Sequence, residues 1–283
     1  MRLGASTFIW ESPFRDEVVG PLAQRAAGMG FDVLEICIED PSLVTAEAVM
    51  AACDAAGVGV SVCGAFGPDR DVSHESADVR AGGLDYLRTC IDLAAEVGSP
   101  LVAGPMYSAT GKARLLPPEE REAQRELAAE GLRAAADHAA ERGVRLAIEP
   151  LNRFETDLVN TVEQGLDLCD RIGRDNVGLL LDTFHMNIEE KDTAAAIVQA
   201  GDRVFHFHTC ENDRGTPGAG GVAWDGVFDA LSRIGYDRML VIEAFTPDIE
   251  EIARAVSTWR PVAASPDDLA RDGLAFLRRR IVA

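Results

Sequence analysis

Short apolar runs alternate with longer stretches of helical period from one end of the chain to the other. The runs predict strands near Leu3–Ile9, Val33–Ile38, Gly59–Gly64, Leu101–Pro105, Arg145–Pro150, Gly178–Asp182, Val204–His208 and Met239–Ala244. Between them, apolar residues spaced three and four apart predict helices over Val18–Met29, Ala46–Ala56, Asp78–Val97, Pro118–Arg142, Val162–Ile172, Thr193–Ala200, Trp224–Ile234 and Ile249–Val256. A further helix, Pro266–Arg280, closes the chain. Gly30, Gly57, Gly98, Gly143 and Gly235 fall just past helix ends, where a left-handed residue terminates the last turn.

Strict strand–helix alternation means a parallel sheet. Eight such pairs are the count of a (β/α)8 TIM barrel, an α/β fold, here one domain over residues 1–283 with an extra C-terminal helix. An open, doubly wound sheet would usually carry a glycine-rich phosphate turn after its first strand. This chain instead runs into Trp10, Glu11, Ser12 and Pro13. Connections into strands are short, as at Gly57-Val58, whereas those leaving strands are long, as at 65–77, 106–117, 151–161, 183–192 and 209–223. The carboxyl ends of barrel strands are where active sites lie, so the elaboration is on the chemical face.

Composition narrows the setting. Hydrophobic residues make up 47% of the 283, enough for a large core. The net charge of −20 argues against a nucleic-acid surface, which needs Lys and Arg to neutralise phosphates. Cys37, Cys53, Cys63, Cys90, Cys169 and Cys210 form no CxxC pair, as expected of reduced, mostly buried thiols in a cytoplasmic protein. The opening MRLGASTFIW lacks the form of a signal peptide, and no apolar stretch is long enough to span a bilayer, so no membrane partner is expected.

The candidate chemistry centres on VFHFHTCENDRG, Val204–Gly215. Strand alternation puts His206 and His208 on one face and Phe205 and Phe207 on the other. The strands around it end alike: RLAIEP at Glu149, GLLLD at Asp182, the histidine run at His208 and MLVIEAF at Glu243. The separations of 33, 26 and 35 residues are each close to one β–α unit. The four side chains therefore sit at one height on neighbouring strands, about 5 Å apart. A lone carboxylate there can be a helix cap or an ion pair. Three of them with one imidazole would repel one another without a cation, which predicts a divalent-metal site of Glu149, Asp182, His208 and Glu243. Oxygen-rich ligation with one imidazole suits Mn²⁺, Mg²⁺ or Co²⁺.

Three polar residues follow in the loops: Glu155 after Glu149, His185 after Asp182 and Arg214 after His208. Each also has a bland reading as a solvated or packing residue, but together they hang over the same end of the barrel. His206 reads equally as a hydrogen-bonded core histidine.

At these residues the sequence resembles the D-tagatose 3-epimerase and D-psicose (allulose) 3-epimerase group of the xylose isomerase-like barrels. The matching segments are AIEPLNRFET, LLLDTFHMNIEE, FHFHTCENDRGTPGAG with Trp224, and VIEAF. The resemblance implies a metal-dependent ketose 3-epimerase that inverts C3 of a free ketohexose or ketopentose through an enediolate. Glu149 and Glu243 would then be the acid/base pair as well as metal ligands, and Glu155, His185 and Arg214 would grip hydroxyls near the ketose carbonyl. It further implies Mn²⁺, with Co²⁺ or Mg²⁺ as alternatives, and a homodimer or homotetramer. One stretch departs from the group. After the fourth strand, GPMYSATGKARLL offers Tyr107 as a substrate contact and has Thr110 where a substrate-facing tryptophan is usual. The distal pocket therefore differs, with Phe8, Trp10, Phe66 and Phe245 as apolar walls.

Other readings separate by where they exchange protons. An aldose–ketose or hydroxypyruvate-type isomerase on the same metal site would exchange at C1 or C2. Metal-dependent DNA cleavage conflicts with the charge, and a non-catalytic scaffold has no need of both glutamates and all four ligands.

Overall fold

The structure, a computed structural model, describes residues 1–281. Eight parallel strands close into a barrel in chain order: β1 (Arg2–Ser6), β2 (Val33–Ile38), β3 (Gly59–Gly64), β4 (Leu101–Gly104), β5 (Arg145–Ile148), β6 (Val177–Asp182), β7 (Val204–His208) and β8 (Met239–Ile242). Around them lie α1 (Asp16–Met29), α2 (Ala46–Ala56), α3 (Ala77–Glu96), α4 (Pro118–Glu141), α5 (Val162–Ile172), α6 (Thr183–Glu189), α7 (Thr193–Ala200), α8 (Trp224–Arg233), α9 (Glu250–Ala255) and α10 (Pro266–Ile281). This is the expected TIM barrel with its C-terminal helix. Among the described residues no helix is long and apolar enough to cross a membrane.

Two apolar layers hold it together. The outer one joins strand residues such as Leu34, Ile36, Leu146 and Phe207 to the helices. The inner one fills the barrel with Val33, Ala103, Ala147, Leu180 and Val241, among others. Ala147, Leu180 and Val241 each precede a candidate ligand by two positions, so alternation carries that ligand to the same interior face.

Three local expectations change. β1 stops at Ser6, whose hydroxyl accepts from the Phe8 amide at 3.3 Å and turns Thr7–Ile9 into a 3₁₀ turn. The segment after β6, expected as loop, contains α6, because Asp182 itself caps it by accepting from the Phe184 amide at 2.7 Å. Phe205 and Phe207 do not share a layer. The β6–β7 register shifts between Leu179 and Leu180, and Phe205 packs with the inner cluster while Phe207 packs against Tyr236 in the outer.

The two mouths differ. At the amino-terminal one, Arg145 and Arg238 lie over the Phe205 ring at 5.1 and 4.8 Å, and Arg238 donates to the Val204 carbonyl. Short links such as Asp32 to the Leu3 amide close that end. At the other, β4 ends on Gly104 with φ +125°, where a Cβ would meet the Gly64 carbonyl oxygen at 2.9 Å. Only glycine fits there, and the tight approach leaves room for Phe66 at the entrance.

Candidate active site

The carboxyl-terminal mouth opens into a cavity of about 570 Å³. Asp182 and His208 are register partners on β6 and β7, while Glu149 and Glu243 lie one residue beyond the ends of β5 and β8. One ligand atom from each of the four lies within 4.8 Å of all the others, and all four residues are buried. The sequence pattern thus brings the four together as expected.

Their electrostatics are unequal. Burial first, then the Glu243 charge, pushes the Glu149 carboxyl well above the ordinary carboxylate range. Burial also pushes Glu243 up, but the His208 charge and Arg214 outweigh it and hold Glu243 below that range. Two carboxyls whose environments separate their proton affinities are suited to acid and base roles. For His208, burial pulls the imidazole down, and the charges of Glu35 and Glu243 outweigh it and raise it well above its ordinary value.

His208 Nδ1 is buried without a hydrogen-bond partner and lies 3.6 Å from Glu243 Oε2, too far for a hydrogen bond. An imidazole nitrogen with no hydrogen-bond partner, set among three carboxylates, is a donor set that fits a divalent cation once its proton is displaced.

Loop side chains complete the wall. Arg214, at φ 63°, sends Nη1 to Asp182 Oδ2 at 2.9 Å and to Glu243 Oε2 at 2.6 Å. Its guanidinium lies between the rings of Phe184 (4.1 Å) and Phe245 (4.9 Å). The long β7–α8 loop is held for this by Glu211, which accepts from the Gly220 amide at 2.7 Å and the Trp224 indole at 3.1 Å. A Cβ on Gly220 would lie 2.5 Å from Asn212 Oδ1 and Glu211 Cγ, so a larger residue there would displace Glu211. His185 Nδ1 accepts from the Asn152 amide at 3.0 Å, and its Nε2 lies 3.2 Å from Arg214 Nη2 and 3.6 Å from Glu149 Oε1. Burial, then Arg214, holds His185 well below its ordinary value and keeps it neutral. Burial raises the Glu155 carboxyl as well.

Asn152 was missed by sequence reasoning. Its side-chain amide donates to Glu155 Oε1 at 2.7 Å and meets His185 Nδ1 at 2.9 Å, so it sets both residues at once. It lies inside the AIEPLNRFET segment, three residues before Glu155, and that spacing was the available signal. Glu35 was missed too. It is a carboxylate in the middle of the buried run VLEICI, bonded to His206 and His208 at 2.6 and 2.8 Å. His206 is accordingly a core histidine.

Glu155, His185, Arg214 and Thr110 line the cavity, as do Phe8, Phe66 and Phe245. Tyr107 and Trp10 are not brought there. Tyr107 is wholly buried behind the wall, donating to the Val159 carbonyl at 2.9 Å, and Trp10 donates to Asp267 of α10 at 2.9 Å. Both side chains follow local hydrogen-bond partners away from the opening.

Residues 23–280 match the family described as the xylose isomerase-like TIM barrel. A Synechocystis protein named "Probable ketose 3-epimerase" is 35% identical over 99% of this chain and 96% of its own length. The L-ribulose 3-epimerase of Mesorhizobium japonicum is 33% identical over 98% and 93%. The D-allulose 3-epimerase of a Methylomonas species, solved in complex with D-allulose, superposes with a TM-score of 0.94 at 29% identity, covering 99% of this chain and 97% of that one. The cavity's carboxylate–histidine cluster and these likenesses together place the chain in the xylose isomerase-like TIM-barrel family, among its ketose 3-epimerases, which are isomerases acting on carbohydrates.

Proposed function

We propose that this enzyme inverts C3 of a free ketohexose or ketopentose by removing the C3 proton on one face of the sugar and returning a proton on the other. The observation that carries this is the pair Glu149 and Glu243: two buried carboxyls at one cavity, with proton affinities driven in opposite directions. Epimerisation needs one group to take a proton while the other gives one, which such a pair supplies. Glu149, Asp182, His208 and Glu243 would hold a divalent cation, Mn²⁺ foremost and Co²⁺ or Mg²⁺ as alternatives. When bound, the cation supplies Lewis-acid stabilisation of the enediolate charge.

The chain's other residues bind and orient. His185, kept neutral by burial, and Arg214, whose Nε is buried without a partner, are suited to the oxygens beside the carbonyl. Glu155 is suited to accept from a sugar hydroxyl, with Asn152 fixing its carboxylate. The phenylalanines exclude water from the reacting carbons, which strengthens each polar contact inside. Thr110 at the entrance, smaller than a tryptophan, leaves the distal end of the sugar more room. A cytoplasmic setting fits the six buried, unpaired thiols, and a homodimer or homotetramer rests on the family resemblance alone.

The test is NMR of L-ribulose, D-allulose, D-fructose and D-tagatose with Mn²⁺-loaded enzyme in D₂O, the metal removed before detection. Deuterium at C3 together with inverted product is expected. Label confined to C1 or C2 would reassign the enzyme to aldose–ketose isomerisation.

A further inference from the structure

Glu35 stands in the middle of β2, wholly buried, in a run that is otherwise apolar. Its two oxygens are divided between partners. Oε2 accepts from Ser61 Oγ at 2.9 Å and meets His206 Nε2 at 2.6 Å, while Oε1 meets His208 Nε2 at 2.8 Å. The two imidazoles are 5.1 Å apart and nearly perpendicular. An ionised carboxylate only accepts, so both Nε2 atoms must carry protons. Nδ1 of each ring is buried without a hydrogen-bond partner, and in the neutral Nε2–H form it carries a free lone pair. In His206 that nitrogen makes no ion pair among the described residues. In His208 it faces Glu243 and the ligand cluster.

We propose that Glu35 is a positioning residue which, held by Ser61 and His206, fixes the Nε2–H form of His208 and so presents Nδ1 to the metal. This rests on reading Glu149, Asp182, His208 and Glu243 as a divalent-metal site. His206 and Ser61 pin one oxygen so that the other is directed at His208. The arrangement spans β2, β3 and β7 across the barrel interior, so the ligand's ring orientation is set by barrel closure rather than by a loop. Carboxylates behind metal-bound histidines fix the ring form and strengthen the ligand.

The substitution that separates this role from simple packing follows from the same hydrogen bonds. Glu35→Met keeps the length and removes both acceptors. Glu35→Gln can turn its amide nitrogen toward Ser61 Oγ and His206 Nε2, whose proton then moves to the unpartnered Nδ1 of that ring. The Gln carbonyl stays available to His208.

The experiment is Mn²⁺ binding, read from the free-ion EPR signal, alongside melting temperature. Wild type should bind one Mn²⁺ per chain, Glu35→Gln should bind within a few-fold of it, and Glu35→Met should bind about 10–100-fold more weakly. Glu35→Met melting lower but binding Mn²⁺ as wild type does would overturn the proposal and leave the metal site intact. Wild type binding no Mn²⁺, Co²⁺ or Mg²⁺ would remove the metal site itself. Should Glu35→Met not fold, Zn²⁺-loaded wild type with ¹⁵N-labelled histidine decides. A slowly exchanging proton on His208 Nε2 with the metal on Nδ1 supports the proposal, and metal on Nε2 overturns it.

Discussion

Arg214 donates to Glu243 at 2.6 Å, so the guanidinium of a loop residue neutralises a carboxyl that stands just past the end of β8. The same nitrogen also holds Asp182. Removing the guanidinium leaves two buried carboxylates uncompensated, a change of the kind that costs about 3–5 kcal/mol. Arg214→Ala should therefore melt well below wild type without metal. Added Mn²⁺ should raise its melting temperature more than it raises that of wild type, because a cation replaces the missing charge. Equal shifts in the two proteins would show that Arg214 and the cation do not neutralise the same carboxylates.

Glu149→Gln and Glu243→Gln should each lower kcat for C3 inversion by at least about 10²–10⁴-fold. Each retains one base. Each variant should thus still exchange the C3 proton of one epimer in D₂O without inverting it, and the two variants should exchange opposite epimers. Exchange of the same epimer by both would place the two carboxyls on one face of the sugar.

The pocket wall depends on Lys112. Its Nζ lies 2.6 Å from Asp71 and 3.0 Å from Ser73, in a nearly buried bridge between the loops after β3 and β4. The adjoining backbone binds the loop after β5, Gly111 donating to the Glu155 carbonyl at 2.7 Å. Lys112→Met should destabilise the protein by about 3 kcal/mol, since Asp71 is left buried and unpaired. It should raise KM several-fold while changing kcat little, because the wall moves and the carboxyls do not. Steady-state kinetics on the turned-over ketose checks the split, and a fall in kcat at constant KM would contradict it.

Stability should decline on the alkaline side. Burial pushes the Cys53 thiol up to about 11 and those of Cys90 and Cys169 up to about 12. An unfolded thiol ionises near about 8.5. A group whose folded value is raised contributes stability that is complete below its unfolded value and lost as pH rises through the folded one. Urea midpoints under reducing conditions should hold from pH 7 to 8 and then fall from pH 9 toward 11. Cys169→Ala should make that fall shallower. A flat profile would mean the thiols ionise alike in both states.

The barrel and its carboxylate–histidine cluster were legible because both depend on periodicity. Eight apolar runs at regular spacing yield the strands, and Glu149, Asp182, His208 and Glu243 repeat at the same strand position. What escaped depends on pairs distant in sequence or on short caps. Glu35 and His206 are 171 residues apart and meet only through closure of the barrel. Even so, a carboxylate amid VLEICI has to be paired somewhere, a demand the sequence already makes. The helix after Asp182 was hidden because its cap doubles as a candidate ligand. Tyr107 faces away because its hydroxyl finds the Val159 carbonyl, which nothing local announces.

The amino-terminal mouth, closed by Asp32 beneath Leu3 and by Arg145 and Arg238 on Phe205, also carries the exposed Met1. A linker at that residue therefore anchors the protein by the pole opposite the cavity. Coupled to a bead or a sensor surface through Met1, the enzyme would hold its open mouth toward the solution, and substitutions that harden the anchored pole against heat would leave the reacting groups untouched.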